Sequence, residues 1–285
     1  MSHNDPVARW LPRLRDFTPA FFQATPALSA VADDACIILH GSTTFGVDDA
    51  MSDLDVWVLV EPDCLRTVDE LSPTRFFEFT LAGKCGHFNV HTRDEFAQRV
   101  ARCDFPLIAE LRTAIVLADP TGDAELLVRR AQLPMRDEVR HAWFAHHYIE
   151  MRSEHRACDN PIERGDAAAL LLALTPAVAH ALRAAMVLDG LPYPYVKWLA
   201  DAASRTPTGA VIASLTNELL DLVGAGALRM AGPERQHPLN VTLRAMRQAL
   251  IAAARDRGIT GPWLEQWYLH LDMRQRIGDA RWDAE

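Results

Sequence analysis

Two aspartates separated by one residue, Asp53 and Asp55, are the first feature of this sequence that could do chemistry. They belong to the segment DLDVWVLV, whose polar and apolar residues alternate as in a half-buried β-strand. Side chains at positions i and i+2 of a strand project to the same face, so the two carboxylates lie side by side and repel each other. Mg²⁺ prefers one or two protein carboxylates together with phosphate oxygens and waters. The pair therefore predicts a metal site.

The apolar run ACIILHG ends in Gly41 and is followed directly by Ser42. Ten residues, 43–52, separate Ser42 from Asp53. A Gly-Ser turn supplies backbone N–H groups and a hydroxyl that can hold a phosphate. Together the two features suit attack on a nucleoside triphosphate, with the carboxylates holding Mg²⁺ against the α-phosphate and the turn holding the outgoing pyrophosphate. Two metals about 3.5–4 Å apart would stabilise the attacking and leaving oxygens.

This pattern, an apolar strand, Gly-Ser, about ten residues and then Asp-x-Asp in a strand, resembles the nucleotidyltransferase superfamily of DNA polymerase beta over residues 35–92. The order of the two halves of the chain resembles its small-molecule branch, the aminoglycoside and lincosamide adenylyltransferases. The resemblance implies that Gly41 and Ser42 bind the triphosphate and that Asp53 and Asp55 bind the metal, Mg²⁺ or Mn²⁺. It also implies an NTP donor, expected to be ATP, and a small-molecule acceptor.

The sequence departs from that family where a third carboxylate is expected on a later strand. The matching strand is HFNVH, which has His87 or Asn89 in place of an acid. The apolar pattern of the two flanking segments predicts a hairpin that pairs Phe79 with Val90 and closes over residues 83–86, which sets Glu78 opposite His91. If the face that carries His87 and Glu78 meets Asp53 and Asp55, His87 could act as the general base, and Glu78 is the nearest carboxylate that could substitute. The alternative is that these are half-exposed strand residues and that the base comes from the helical half or is absent.

A few other polar residues have two interpretations. Lys197, in the tract PYPYVKWL, could contact a phosphate across a cleft between the two halves, or it could be an ordinary residue of a helix. Lys84 is expected in a solvated hairpin turn, and Asp48 and Asp49 in a solvated loop. His146 and His147 lack metal-ligand spacing, so we expect them at the surface or between domains.

The remaining sequence predicts an α+β fold in two domains. Residues 1–134 predict a nucleotidyltransferase-like mixed β-sheet with flanking helices, and residues 135–285 a helical bundle. Short helices are expected at Pro6–Arg15, Phe17–Phe22 and Pro26–Ala32, followed by strands that include TAIVLADPTG. The helical half ends in a helix predicted over Gly261–Gly278.

Composition narrows the class of protein. The formal charge of −9 argues against nucleic acid as a partner, because nucleic-acid binding needs a basic surface. A membrane span needs about 20 apolar residues in succession, and no run of that length is expected in this sequence. The segment MSHNDPVARW has no signal-peptide pattern. Five scattered cysteines fit a reducing compartment, so we expect a cytoplasmic protein that does not bind membranes. The sequence does not fix the oligomeric state.

Three functions follow from these observations. The first is metal-dependent transfer of a nucleoside monophosphate, AMP from ATP, to a hydroxyl of a small molecule such as an aminoglycoside- or lincosamide-like antibiotic, with the acceptor expected between the two halves. The second is a toxin-type nucleotidyltransferase that modifies tRNA or a protein. The third is a degenerate nucleotide-binding protein without transferase activity, which the missing third carboxylate suggests.

Overall fold

The computed structural model of the protein describes residues 6–282, and the outer ends of the predicted ranges, residues 1–5 and 283–285, lie outside the described residues. Within 6–282 the chain divides into two compact units, residues 6–133 and residues 134–282. The first contains a mixed five-stranded sheet with flanking helices, and the second is helical. This confirms the predicted α+β fold class.

The first unit contains seven α-helices and five strands in its described part. The helices are α1 (Pro6–Ala24), α2 (Pro26–Ser29), α3 (Ser42–Phe45), α4 (Pro62–Leu71), α5 (Arg93–Ala101), α6 (Phe105–Thr113) and α7 (Asp123–Gln132). The strands are β1 (Cys36–His40), β2 (Leu54–Val60), β3 (Phe76–Leu81), β4 (Lys84–Thr92) and β5 (Ile115–Ala118). The strand order is β3-β4-β2-β1-β5, in which β2 and β4 are parallel and the other pairs antiparallel.

Alternation along β2 divides the sheet into two faces. Leu54, Val56 and Val58 are fully buried in a core that also includes Trp10 and Leu14 of α1. Because successive strand side chains point to opposite faces, Asp55 is on the other side of the sheet from this core. The apolar face thus anchors the strand that carries the polar site.

Helix α1 differs from its prediction, because one helix replaces the two short helices expected at Pro6–Arg15 and Phe17–Phe22. It continues through Pro12 and Pro19, and its buried residues are Trp10, Leu14, Thr18 and Phe22. These four residues are spaced by four and form one stripe of the helix. Burial of that stripe against the sheet outweighs the backbone hydrogen bonds that the two prolines remove. The third predicted helix, Pro26–Ala32, is shortened to α2.

The β3–β4 hairpin has a different register from the predicted one. Leu81 pairs with Lys84, and Glu78 pairs with His87 instead of His91. Ala82 (φ 50°) and Gly83 (φ 83°) form a two-residue turn with positive φ at both positions, the geometry of a type I′ turn. The observed and predicted registers differ by an even number of residues, so each side chain stays on the same face of the sheet in both. The apolar pattern is therefore compatible with either register.

The second unit contains helices joined by loops, and no strand among its described residues. Its helices are α8 (Asp137–Ala157), α9 (Asp159–Arg164), α10 (Ala167–Leu188), α11 (Val196–Ser204), α12 (Pro207–Gly224) and α13 (Pro238–Asp256). Short 3₁₀ segments cover Ala227–Arg229, Glu234–Gln236, Pro262–Leu264, Trp267–Leu269 and Leu271–Gly278. The helix predicted over Gly261–Gly278 is therefore wrong: Gly261 (φ 151°) and Pro262 begin a series of tight 3₁₀ turns.

Helix α10 is long and apolar, although no apolar run of membrane-span length was expected from the sequence. Among the described residues it is the one helix with the length and composition to cross a membrane. Over its most apolar window 56% of it is buried inside the protein. Its fully buried residues include Leu170, Ala177 and Ala181, as in the central helix of a bundle.

Candidate functional site

Three side chains of the first unit converge at one end of the sheet: Asp53, Asp55 and His87. One ligand atom from each lies within 4.8 Å of the other two. Asp53 immediately precedes β2, Asp55 is its second residue, and His87 lies directly opposite Asp55 on the parallel strand β4. Neighbouring strands are about 4.8 Å apart, so this register places the two side chains in contact. The cluster therefore follows from the pairing of β2 with β4.

The His87 imidazole lies between the two carboxylates. Its Nε2 is 2.9 Å from Oδ1 of Asp55, and its Nδ1 is 3.6 Å from Oδ2 of Asp53. The side chains of His87 and Asp55 are 13% and 18% exposed, whereas that of Asp53 is 50% exposed. Burial alone would lower the pKa of His87, but the Asp55 hydrogen bond and the charges of Asp55, Asp53 and Glu78 outweigh it and raise the pKa above its ordinary value.

Glu78 contributes charge to this cluster from the neighbouring strand. It lies opposite His87 on β3 and is exposed to solvent. Phe76, two residues earlier on the same face, stacks on the His87 ring with centroids 4.5 Å apart and an interplanar angle of 27°. The stacked phenyl ring fixes the plane of the imidazole and leaves its nitrogens at the ring edge. Asn89, the other residue considered for the missing acid, lies opposite Trp57 and outside the cluster.

Gly41 and Ser42 border the same cluster. Gly41 follows His40, the β1 residue opposite Asp55, and has φ +80°. A Cβ atom at position 41 would lie 2.3 Å from Oδ2 of Asp55, so only glycine fits. Ser42 is 3% exposed, and its Oγ has no hydrogen-bond partner among residues 6–282. The predicted phosphate-binding residues and the predicted metal ligands are thus adjacent.

The loop between α3 and β2 is held by an ion pair that was not predicted from the sequence. Lys84 Nζ contacts Asp48 Oδ1, and each side chain is 11% exposed. Asp48 also accepts a hydrogen bond from Thr43 Oγ1 at 3.3 Å. The expectation that Lys84 and Asp48 are solvated is therefore wrong, because the two-residue hairpin turn brings Lys84 to the loop. The rarity of lysine, with two in the chain, was the only signal.

A buried histidine next to Gly41 was also missed. His40 Nδ1 lies 2.7 Å from Glu110 Oε2, and its ring stacks on Trp57 at 3.5 Å. Its Nε2 is buried with no hydrogen-bond partner within the described part of the chain. Packing against Trp57 and bonding to Glu110 fix the end of β1 from which Gly41 and Ser42 extend. The available signal was a histidine inside an apolar strand, directly before Gly-Ser.

The other predicted residues belong to the second unit. Lys197 lies in the first turn of α11, with its Nζ 4.9 Å from the Trp198 ring centroid, and its phosphate contact stays a prediction. His147 is 2% exposed, so of the two positions expected for it, at the surface or between domains, the surface one is wrong. Its Nδ1 lies 2.9 Å from Nδ1 of His180.

Among solved structures, the chain is similar to a nucleotidyltransferase-like protein from Exiguobacterium sibiricum 255-15. The two are 11% identical in sequence, with a TM-score of 0.49, and the alignment covers 94% of this chain and 88% of that one. No family model matches the chain, and no curated protein matches it. The geometry of Asp53, Asp55, His87 and the Gly41 backbone therefore provides the evidence for function.

Proposed function

We propose that this protein is a metal-dependent nucleotidyltransferase that transfers a nucleoside monophosphate from an NTP to a hydroxyl group of a small molecule. The observation that carries the proposal is the convergence of Asp53, Asp55 and His87 beside Gly41, within 4.8 Å for the three ligand atoms. Enzymes that transfer phosphoryl groups use carboxylates to hold a metal ion and backbone N–H groups to bind phosphates. The cluster offers both.

The donor set fits a hard divalent cation. Asp53 and Asp55 would hold Mg²⁺ or Mn²⁺, both of which favour carboxylate oxygens. When bound, the ion would neutralise negative charge on the phosphates. An imidazole is a weaker ligand for these ions, which leaves His87 free for proton transfer.

Gly41 and Ser42 would bind the triphosphate. Because position 41 has no Cβ, a phosphate oxygen can approach the backbone beside Asp55. The Ser42 hydroxyl, which is buried without a partner among the described residues, would donate a hydrogen bond to a phosphate oxygen. Ligand binding would thus satisfy a polar group that the protein alone leaves unpaired.

His87 would act as the general base. In the neutral imidazole its Nε2–H donates to Asp55 Oδ1, which places the lone pair on Nδ1, the nitrogen 3.6 Å from Asp53 Oδ2. The acceptor hydroxyl transfers its proton to Nδ1 as its oxygen forms a bond to the α-phosphorus. The bond from that phosphorus to the bridging oxygen breaks, and pyrophosphate leaves. Each bond formed is matched by one broken, and no further reactant is needed.

The resemblance to the adenylyltransferases supports ATP as the donor and an aminoglycoside- or lincosamide-like compound as the acceptor. The net charge of −9 also favours a cationic acceptor. A second function, nucleotide binding without transfer, is favoured by one observation: His87 stands where the resembled family has its third carboxylate. An assay that measures both binding and turnover distinguishes the two.

The test incubates the protein with each NTP, Mg²⁺ or Mn²⁺ and a panel of aminoglycoside and lincosamide acceptors. Pyrophosphate release and the mass of the acceptor are measured. We expect release in stoichiometric proportion to an acceptor that gains one nucleoside monophosphate, and loss of both signals with EDTA or in Asp53→Asn. Metal-dependent NTP binding without pyrophosphate release with any acceptor would instead support the second function. Release that persists in Asp53→Asn would contradict the site.

A further inference from the structure

Five arginines surround one pocket in the second unit, although the protein has a net charge of −9. The pocket has a volume of about 160 Å³. The five arginines are Arg152, Arg156, Arg235, Arg244 and Arg247. Five guanidinium groups face two carboxylates there, so the pocket is positively charged in an acidic protein.

Two helices provide most of this lining through regular spacing. On α8, positions 152, 155 and 156 share one face, and on α13 positions 240, 244 and 247 do the same. His155 Nε2 lies 2.5 Å from Asn240 Oδ1, which joins the two helices at the pocket. Both residues are buried, at 8% and 3% exposed. The arginines therefore extend from a rigid base.

The contacts within the pocket leave positive charge without compensation. Two of the five arginines are paired with the two carboxylates: Arg156 with Asp159, and Arg235 with Glu234, whose Oε1 is 3.7 Å from the Arg235 Nε. Arg152 Nη1 donates to Tyr148 Oη at 3.0 Å, a neutral partner. Arg244 donates to a backbone carbonyl. The Nε of Arg247 is buried and has no hydrogen-bond partner among residues 6–282. Like charges that line one pocket repel each other, and a bound anion would compensate them.

We propose that this pocket is a binding site for the phosphate group of a small anionic ligand, independent of the metal site in the first unit. Guanidinium groups bind phosphate through paired N–H donors in a planar fork. Pockets that hold drug-sized ligands have volumes of roughly 300–1,000 Å³, so a pocket of about 160 Å³ admits a phosphate group and leaves the rest of the ligand outside. Inorganic phosphate or a phosphomonoester would provide that group.

The test uses the full chain in EDTA and measures melting temperature and heat of binding with inorganic phosphate or glycerol phosphate. Sodium chloride at matched ionic strength is the reference. We expect a saturable rise in melting temperature with phosphate beyond that with chloride. Loss of one charge-assisted hydrogen-bonding partner should weaken binding about 10- to 100-fold in Arg247→Gln. A response to phosphate no greater than that to chloride would overturn the proposal.

Matched variants locate the response. Arg205→Gln removes an exposed arginine of the same unit outside the pocket and should bind as the wild type does. Arg156→Gln, at a side chain 72% exposed, provides a second pocket variant whose folding is not at risk. Equal phosphate affinity in Arg247→Gln, Arg156→Gln and the wild type would overturn the assignment.

A further arm separates a small ligand from a polymer. A short single-stranded RNA is titrated under the same conditions. Saturable binding of phosphate or glycerol phosphate that Arg247→Gln weakens supports the proposal. Binding of RNA alone, without a saturable response to either small anion, would contradict it and identify a nucleic-acid surface instead.

Discussion

His87 Nε2 and Asp55 Oδ1 are 2.9 Å apart across the parallel pair β4 and β2, at positions that lie directly opposite each other. The sequence predicts that Asp53 and Asp55 are two equivalent carboxylates that repel each other until a cation binds. The structure adds a histidine that bonds to one of them and lies near the other. The two aspartates are therefore not equivalent, and substitutions should separate them.

Asp55→Asn should destabilise the metal-free protein more than Asp53→Asn. At pH 6 we expect the free energy of unfolding to fall by about 1–3 kcal/mol in Asp55→Asn, because a largely buried charged hydrogen bond is lost. Asp53 is half exposed and 3.6 Å from His87, so its substitution should change stability by less than about 0.5 kcal/mol. Urea unfolding in EDTA measures both. Equal losses would contradict the asymmetry.

Gly41→Ala should disrupt the site, and Gly46→Ala is its matched control. Both glycines have positive φ. Gly46 (φ 73°, ψ 27°) is in the left-handed helical region, where alanine costs about 1–2 kcal/mol, whereas Gly41 (φ 80°, ψ −152°) is in a region adopted almost only by glycine, where the cost is about 1–3 kcal/mol. Only at position 41 does the added Cβ meet Asp55 Oδ2, at 2.3 Å, whereas at position 46 nothing lies within 4 Å. We expect calorimetry to show weakened Mn²⁺ binding in Gly41→Ala and normal binding in Gly46→Ala. Normal Mn²⁺ binding in both variants would show that the Asp55 carboxylate does not lie against the backbone at position 41.

Much of the first unit's fold was predictable because strand alternation is a local signal. The pattern of Leu54, Asp55, Val56 and Trp57 gave the correct faces of β2. The hairpin register was not predictable from that signal, since registers that differ by an even number of residues bury the same side chains. Gly86 provides the missing constraint: a Cβ there would lie 2.4 Å from the Phe79 ring, so Gly86 belongs opposite Phe79 in the ladder and not in the turn.

In the candidate site, too, only the residues that are close together in the sequence were predictable. Asp53, Asp55, Gly41 and Ser42 stand close together in the sequence, and their spacing was enough to predict that they share one site. The Asp55–His87 contact depends on the parallel pairing of strands some thirty residues apart. The Lys84–Asp48 and His40–Glu110 pairs also join distant segments, so a local pattern can single out Lys84 or His40 but cannot show which residue each one pairs with.

Stability should fall in mild acid because of the His147–His180 pair in the second unit. Burial lowers the pKa of His180 to about 4, and that of His147 well below its ordinary value. Between about pH 6.5 and pH 4 the unfolded chain binds more protons than the folded one, so the free energy of unfolding falls as pH falls. The loss from His180 should be of the order of 2–3 kcal/mol.

Urea unfolding from pH 7 to pH 4.5 measures this loss. His180→Gln should flatten the profile, because it removes one of the two titrating groups, and His270→Gln is the control outside the pair. An unchanged slope in His180→Gln would show that other groups cause the acid sensitivity.

The last prediction decides between His87 and Glu78 as the base in the proposed transfer. His87→Ala should lower kcat by roughly 10²–10⁴, the range for loss of an acid–base group, with NTP affinity little changed. Glu78→Gln should leave kcat within a few-fold, because Glu78 is exposed and acts on His87 only through its charge. Exogenous imidazole should restore part of the turnover in His87→Ala, since removal of the ring leaves space against Phe76. Normal kcat in His87→Ala, or a larger loss in Glu78→Gln than in His87→Ala, would assign the proton transfer to another group.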